Sequence, residues 1–572
     1  MEVNILPKCF PYPMNSHKAR ICEVDGENSK ASSDTQKPAS STRKTASSAQ
    51  KPTSSMQKAQ TSKMPRRPAT IPFPPVEDSV PKLKKFITDS FAEVFKMGPG
   101  KQMKTEPVHI HLRKDAIPSA IHVPIPVPIN WKKEIKAQLD QDVTNGIIEQ
   151  VPIGEPVSWC HQMIVVQKKG SNKPRRTVHL KKMNSQCLRE THHCPSPFRL
   201  ACQVPANTKK TVFDATDGYH SIELDEQSRP LTTFITEWGR YRYRRLPQGF
   251  IAAGDAYTRR YDEIIKDVQN KIKCVDDTLL YDSDIESAFY RAWDYLQLCM
   301  DNGITINENK FQFCQDTAMF AGLKITPDGI QPSDHIIGAI ANFPIPNDIS
   351  GARAWFGLVN QIAWAYANAP AMQPFRDLVK PNAKFEWNAN LQQLFDNSKN
   401  ILIKQSIEGI QTFDPERRTC LQTDWSKEGI GYLLLQQHCH CEIANAPICC
   451  KDGWKLVFAG SRFTLPAETR YSPTEGEALA VAWSLEHAKF FVLGCKHLLV
   501  STDHRSLTGI LQDRDLGTIK NPRILSIKER TLQFSFRIQY NPGKWHRAPD
   551  ALSRNPTPEL QAIISESAND PA

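Results

Sequence analysis

The sequence predicts a multidomain α+β protein with a disordered N-terminal tail. From about residue 150 to 330, short apolar strands alternate with helical segments, which is typical of an α/β or α+β domain. A mostly helical stretch follows to about residue 405, and a second α/β unit runs from about 417 to 555. The 572 residues are enough for roughly three or four domains.

The N-terminal tail is predicted over residues 1–78, and a short C-terminal tail over 556–572. Residues 35–70 hold eight Lys/Arg and no acidic residue among Ser, Thr, Gln and Pro, so little there can be buried. The formal charge is +11, of which +7 lies in residues 1–70. Such a tail is compatible both with tethering of nucleic acid and with a plain solvated linker.

Cysteine usage and hydropathy indicate the compartment. Most of the 15 cysteines are scattered singly, no secretory segment follows Met1, and no apolar run approaches the ~18–20 residues that span a bilayer. We therefore expect reduced thiols in an intracellular protein, cytoplasmic or nuclear, without a membrane partner.

Two helical segments precede the first mixed domain. Residues 79–98 carry apolar side chains at helical spacing and end at a glycine, and residues 131–146 form a polar helical pattern. We assign residues 79–144 to a linker with amphipathic helices.

Two adjacent carboxylates interrupt an apolar strand pattern at residues 272–284. Without compensation, Asp276 and Asp277 would cost several kcal/mol there, or one would stay protonated. They form either the solvated tip of a hairpin or a pair of ligands for divalent cations. Asp214, at the end of another apolar strand, favours the second interpretation, because nucleotidyl transfer uses about three carboxylates around two ions ~3.5–4 Å apart.

A second set of acids lies in the C-terminal unit. Each of them lies on a different predicted element: Asp424, Glu477, Asp503 and Asp550. Convergence of these four would form a second two-metal site, suited to hydrolysis of an RNA phosphodiester. Glu475 is the alternative to Glu477.

The motifs together resemble a known family. DATDGYHSI (214–222), LTTFITEWGRYRYRRLPQGF (231–250) and CVDDTLLYD (274–282), in this order and spacing, resemble the reverse transcriptase of Ty3/gypsy-like retrotransposon Pol polyproteins. The C-terminal unit, with its closing HRAPDALSR, resembles the RNase H domain that follows it. The resemblance implies a right-hand polymerase, with fingers and palm over 145–330 and thumb or connection over 331–415, followed by an RNase H-like α/β domain over 416–555.

The resemblance also implies site residues, cofactors and partners. It gives metal-binding catalytic roles to both acid sets, with two Mg²⁺ per active site or Mn²⁺ in their place. The implied partners are an RNA template, a DNA primer, RNA–DNA hybrids and dNTPs. Four residues match positions that contact the nucleotide: Lys168, Arg175, Tyr219 and Gln248. Tyr219 matches the aromatic residue that excludes a 2′-hydroxyl.

Two residues of this sequence depart from the pattern that is usual in the family. Cys274 and His179 replace the residues usual in the family, although neither is a metal ligand.

The chain has no Asp-Thr-Gly or Asp-Ser-Gly triplet and no HHCC-type zinc module, so we expect the polymerase–nuclease segment of such an element. The alternatives to an active enzyme are an inactive or host-retained fragment that binds nucleic acid and a nuclease-only protein. The sequence does not predict an oligomeric state.

A cysteine cluster lies outside these motifs. Residues 436–454 contain two histidines and four cysteines: Cys439, Cys441, Cys449 and Cys450. These are suitable ligands for Zn²⁺, but their spacing is not that of two CxxC knuckles. The sequence favours a loop with free thiols over a zinc site.

Overall fold

The computed structural model describes residues 65–96, 101–168, 171–365, 372–380, 384–442, 446–447, 449–450 and 453–542. Most of the predicted N-terminal tail, Asp550 and the predicted C-terminal tail lie outside these residues. In the part of the chain that the structure describes, no helix combines the length and apolar character that crossing a bilayer requires.

The described residues form the following elements. The strands are β1 (Ile148–Gln150), β2 (His161–Gln167), β3 (Pro174–Val178), β4 (Lys209–Asp214), β5 (Phe234–Thr236), β6 (Gly239–Tyr243), β7 (Lys271–Cys274), β8 (Asp277–Asp282), β9 (Gln312–Gln315), β10 (Ala318–Phe320), β11 (Leu323–Ile325), β12 (Gly329–Pro332), β13 (Ile410–Gln411), β14 (Thr419–Trp425), β15 (Gly429–Gln437), β16 (Trp454–Phe463), β17 (Leu498–Thr502) and β18 (Arg537–Tyr540). The α-helices are α1 (Val80–Ser90), α2 (Ala92–Phe95), α3 (Lys132–Thr144), α4 (Lys181–Asn184), α5 (Pro197–Ala201), α6 (Ala253–Ile264), α7 (Ile285–Asn302), α8 (Asp334–Ala341), α9 (Ile349–Val359), α10 (Ala389–Glu408), α11 (Pro473–His487), α12 (Lys489–Val492), α13 (Ser506–Thr508) and α14 (Pro522–Thr531).

The first mixed domain contains two sheets. One has the strand order β1-β6-β5-β2-β3, and α3 covers it by burying Ile135 and Leu139 against Phe234 and Tyr241. The other has the order β7-β8-β4-β9 and packs against α6 and α7. The middle of β4 and β8 is apolar and buried, while Asp214 and Asp277 lie together at one end of the sheet and Asp282 lies at the other.

The segment before this domain is part of its core. Phe91 packs edge-on against Trp293 of α7, with ring centroids 4.8 Å apart, and Leu83 and Ile87 are fully buried. Upstream, Arg67 forms an ion pair with Asp294. Residues 67–78, which we predicted as tail, and α1–α2, predicted as linker, therefore belong to the folded body. An amphipathic pattern identifies an apolar face but not the surface that covers it.

A small sheet and a helical region follow. The sheet has the order β10-β11-β12-β13 and is antiparallel throughout. Helices α8, α9 and α10 bury a separate apolar cluster around Trp355 and Phe395, whose rings lie 5.0 Å apart. This region matches the predicted helical stretch.

The C-terminal unit is a five-stranded sheet in the order β16-β15-β14-β17-β18. β14 is parallel to β17 and antiparallel to β15, and α11 packs against it. The helix approaches closely because Gly476 faces Trp425: a Cβ at this glycine would lie 2.2 Å from the indole ring.

An aromatic cluster joins the two mixed domains. Phe198 of α5 stacks on Trp364 at 5.2 Å and on Phe458 of β16 at 5.5 Å. Because α5 belongs to the first domain and β16 to the second, this cluster is a direct contact between them.

Candidate active sites

Three carboxylates meet at one end of the β7-β8-β4-β9 sheet. Asp214 ends β4 and Asp277 begins β8, and the two residues are direct partners in the antiparallel register. Asp276 lies in the β7–β8 turn, where Val275 adopts a positive φ of 53°. The Ala215 N–H donates to the Asp276 carbonyl at 3.0 Å, which fixes the turn against the end of β4. The hairpin thus places adjacent residues on one side, as an extended strand would not.

Burial and mutual repulsion act on these carboxylates. Burial, followed by the charge of Asp214, raises the pKa of Asp276 to about 6. The same two causes raise the pKa of Asp277. The Ala321 N–H, between β10 and β11, donates to Asp277 Oδ2 at 3.2 Å. A group of partly buried acids whose ionised forms repel one another is suited to a compensating cation.

The ammonium group of Lys310 partly compensates the negative charge of these acids, and this contact was not predicted from the sequence. Lys310 Nζ lies 2.7 Å from Asp214 Oδ2, and its side chain is 63% exposed. A single lysine in a polar turn gives no sequence signal of this contact. The carboxylate oxygens are hard ligands of the type that Mg²⁺ and Mn²⁺ prefer, so the donor type of these three residues suits such ions.

Tyr219 lies beside the three carboxylates. Its ring packs edge-on against Tyr257 of α6, with centroids 5.7 Å apart. Burial, with the nearby charge of Asp276, raises the pKa of Tyr219, so the phenol stays neutral. Gly218 permits this packing because a Cβ there would lie 2.5 Å from the Tyr257 ring.

The other predicted nucleotide contacts lie on exposed parts of the first domain. Arg175 is exposed on β3, opposite Val166 of β2, and Lys168 follows the end of β2. Gln248 is exposed in the loop before α6. Asn184, which sequence reasoning missed, binds this loop through the Gly249 carbonyl at 2.8 Å and the Ile251 N–H at 3.1 Å.

A second carboxylate cluster lies at the edge of the C-terminal sheet. Oxygens of Asp424, Glu477 and Asp503 all lie within 4.8 Å of one another. Asp424 is near the end of β14 and Asp503 follows β17, and these strands are parallel, so their carboxyl ends meet at one edge. Glu477 reaches the edge from α11, and its Oε1 accepts from the Trp425 N–H at 3.4 Å. Three oxygen donors at this spacing fit a divalent cation.

The alternative glutamate lies elsewhere. Glu475 forms a capping box with Ser472 at the start of α11 and an ion pair with Arg523 at 2.8 Å. Hydrogen bonds from Asn521 and Ser472, together with Arg523, lower the pKa of Glu475 to about 2. In the structure Glu475 thus caps α11 and pairs with Arg523, whereas Glu477 lies in the cluster with Asp424 and Asp503. Asp550 lies outside the described residues.

Comparisons with known proteins agree with this division. The family described as reverse transcriptase (RNA-dependent DNA polymerase) matches residues 166–325. The family described as RNase H-like domain found in reverse transcriptase matches residues 414–533. The first match contains Asp214, Asp276 and Asp277, which we call the palm carboxylates, and the second contains Asp424, Glu477 and Asp503.

Similar proteins include transposon polyproteins. The chain is 27% identical over 447 residues to the retrovirus-related Pol polyprotein from transposon 412 of Drosophila melanogaster, covering 76% of this chain and 34% of that protein. It is 26% identical to the corresponding polyprotein from transposon gypsy of the same species, covering 77% and 41%. The chain thus spans less than half the length of these curated relatives.

Solved structures show the same fold. The foamy viral protease–reverse transcriptase in complex with RNA/DNA hybrid superposes with a TM-score of 0.66 at 15% identity, covering 81% of this chain and 61% of that one. The same viral protein in complex with dsDNA gives 0.69 at 16% identity, covering 82% and 94%. The chain therefore carries a reverse transcriptase domain followed by an RNase H-like domain, and it is similar in sequence to gypsy-type transposon Pol polyproteins.

Proposed function

We propose that this chain copies RNA into DNA at the palm carboxylates and cleaves the RNA strand of RNA–DNA hybrids at the second cluster. The observation that carries the proposal is the presence of two separate carboxylate clusters, each at the edge of its own sheet. A binding protein without catalysis has no physical need for groups of buried and partly buried acids, which cost stability when they are not compensated.

Divalent cations complete this proposal. Mg²⁺, or Mn²⁺, two at each site, would be held by Asp214, Asp276 and Asp277 in the palm and by Asp424, Glu477 and Asp503 in the second cluster, with Asp550 as the proposed fourth acid there. Such ions supply charge neutralisation at the reacting phosphate. Lys310 must give up Asp214 Oδ2 when that oxygen binds a cation, and its exposed chain is free to move.

The remaining residues orient the substrates in this proposal. Tyr219, held by Tyr257, forms a wall beside the carboxylates that selects dNTPs against ribonucleotides. Lys168 and Arg175, exposed on one hairpin, supply positive charge for the triphosphate and template. The β10–β11 hairpin contacts Asp277 directly and is positioned to hold the primer strand.

Two matched variants test the proposal. Asp276→Asn is expected to abolish primer extension on an RNA template while leaving cleavage of a labelled RNA–DNA hybrid intact. Asp424→Asn is expected to do the reverse, because the two acids belong to separate domains. Both assays use the full chain with Mg²⁺. If either variant loses both activities equally, the two-site assignment is wrong, and if wild-type protein shows neither activity, the chain is an inactive fragment.

A further inference from the structure

Four cysteines converge in the loop that joins β15 to β16. The strands pair up to Gln437 and Trp454, and the cysteines lie in the segment between these residues. Their four Sγ atoms lie within 4.8 Å of one another, and the Cys439 and Cys449 sulfurs are 3.5 Å apart. The spacing in sequence is irregular, but the folded loop brings all four thiols to one point.

The distances fit a single tetrahedral metal ion. Four sulfurs at about 2.3 Å from a central ion are separated by about 3.8 Å. A disulfide would require about 2.05 Å, so the Cys439–Cys449 pair is not bonded. The sulfurs are also too close together to enclose an iron–sulfur cluster.

The surroundings of the sulfurs are suited to thiolates. The Gln437 side-chain amide donates to Cys439 Sγ at 3.4 Å, and the Trp454 indole N–H donates to Cys449 Sγ at 3.3 Å. N–H donors aimed at sulfur stabilise negative charge there and orient the ligands of a metal. Gly453 provides the space, because a Cβ at this position would lie 2.4 Å from Cys450 Sγ and 2.6 Å from Cys439 Sγ.

We propose that this loop binds one structural Zn²⁺ through its four thiolates, those of Cys439, Cys441, Cys449 and Cys450. An all-sulfur tetrahedral set selects zinc among the common divalent ions, and hard oxygen-seeking ions such as Mg²⁺ bind it poorly. Binding releases the thiol protons and requires no change of oxidation state. The site is separate from both carboxylate clusters.

The zinc loop supports the edge of the sheet that carries Asp503. The loop's Ala446 carbonyl accepts from the buried Asn541 side chain at 3.1 Å, and the same amide donates to Ser501 Oγ at 2.8 Å. Asn541 follows β18, and its N–H also donates to the Thr502 carbonyl at 2.9 Å. Loss of zinc is therefore expected to loosen the ends of β17 and β18.

Metal analysis of the full chain tests the zinc site. Protein purified under reducing conditions with Zn²⁺ is expected to retain about one equivalent of zinc after dialysis, and Cys439→Ser/Cys449→Ser is expected to lose it. Cys495→Ser, which changes a free cysteine outside the loop, is the matched control and should keep the metal. Zinc-free wild-type protein, zinc retained by the double variant, or disulfides among the four cysteines in mass spectra would overturn the proposal.

Two measurements on wild-type protein remain decisive if the variants fail to fold. Replacement of zinc by Co²⁺ should give thiolate-to-cobalt charge-transfer absorption and the visible bands of a tetrahedral site, and a spectrum of octahedral cobalt would contradict the assignment. Removal of zinc by a chelator should speed hydrogen exchange in β17 and β18 and leave β7 and β8 unchanged. Equal exchange with and without zinc would refute the link to the sheet edge.

Discussion

Replacing Glu475 by Gln removes one negative charge from the first turn of α11 while it keeps the size of the side chain and its hydrogen-bonding oxygen. The neighbouring Glu477, changed in the same way, provides a matched control two residues further along the same helix. In the structure, Glu475 binds Asn521, Ser472 and Arg523, whereas Glu477 faces Asp424 and Asp503.

The expected loss of stability follows from the lowered pKa of Glu475. A pKa of about 2 against the usual 4.5 corresponds to about 3 kcal/mol. Arg523 is 48% exposed, so solvent screening reduces this to about 1–2 kcal/mol. Because the folded-state pKa is depressed, the stabilisation is fully present above about pH 4.5 and is lost as the pH falls toward about 2.

Hydrogen exchange of the α11 amides, measured on the full chain, gives the free energy of local opening of this helix. At pH 7, Glu475→Gln should lower the free energy of opening of α11 by about 1–2 kcal/mol, and the difference from wild type should shrink below about pH 4.5. Glu477→Gln should leave α11 at least as stable as wild type, because it removes a charge from a group of three acids. Hybrid cleavage should fall at least about 100-fold in Glu477→Gln and less than about 5-fold in Glu475→Gln.

The reverse pattern would refute this reasoning. If Glu475→Gln abolished cleavage with α11 unchanged, Glu475 would be the nuclease glutamate and the cluster around Glu477 would have another role. A stability difference that did not change between pH 7 and pH 3 would show that the charge of Glu475 contributes nothing.

Three further predictions test other parts of the molecule. Tyr219→Val is expected to admit ribonucleotides because the ring beside the carboxylates is removed; an unchanged ratio of dNTP to rNTP incorporation would contradict this. Deletion of residues 1–64, which keeps the segment packed on the folded body, should weaken template binding at low salt and flatten its salt dependence, and parallel salt slopes would indicate a passive spacer. Gly476→Ala should destabilise the C-terminal domain by about 1–3 kcal/mol through overlap with the Trp425 ring and lower its melting temperature, whereas Gly509→Ala, with open space around it, should not.

Much of the fold was predictable because apolar strands that end in acids leave a strong pattern. Asp214 ends such a strand, Asp424 is the penultimate residue of one and Asp503 follows one, and strand pairing then brings each acid to one edge of its own sheet. The family resemblance gave the order of the domains, and the matched families and the fold confirm that order.

The rest depended on contacts that are distant in sequence. The packing of α1 and α2 on α7 was not predictable, because an apolar helix face can be covered by any apolar surface. The ion pair of Lys310 with Asp214 and the hydrogen bonds of Asn184 to the Gln248 loop come from single polar residues without a motif. In the cysteine loop the sequence pattern itself pointed away from a metal site, because the spacing of the four cysteines is irregular. Their sulfurs come together only in the folded loop.

The aromatic contact of Phe198 with Trp364 and Phe458 has a consequence for the two proposed activities. The stacked rings, at 5.2 and 5.5 Å, are a direct contact between the two mixed domains, so they would help to keep a constant distance between the proposed polymerase site and the proposed nuclease site. One hybrid duplex that occupied both sites would then be cut at a constant number of base pairs behind the growing end. The aromatic cluster would then determine the length of hybrid between the two proposed sites. Phe198→Ala would broaden the distribution of RNA fragment lengths without changing either chemical step.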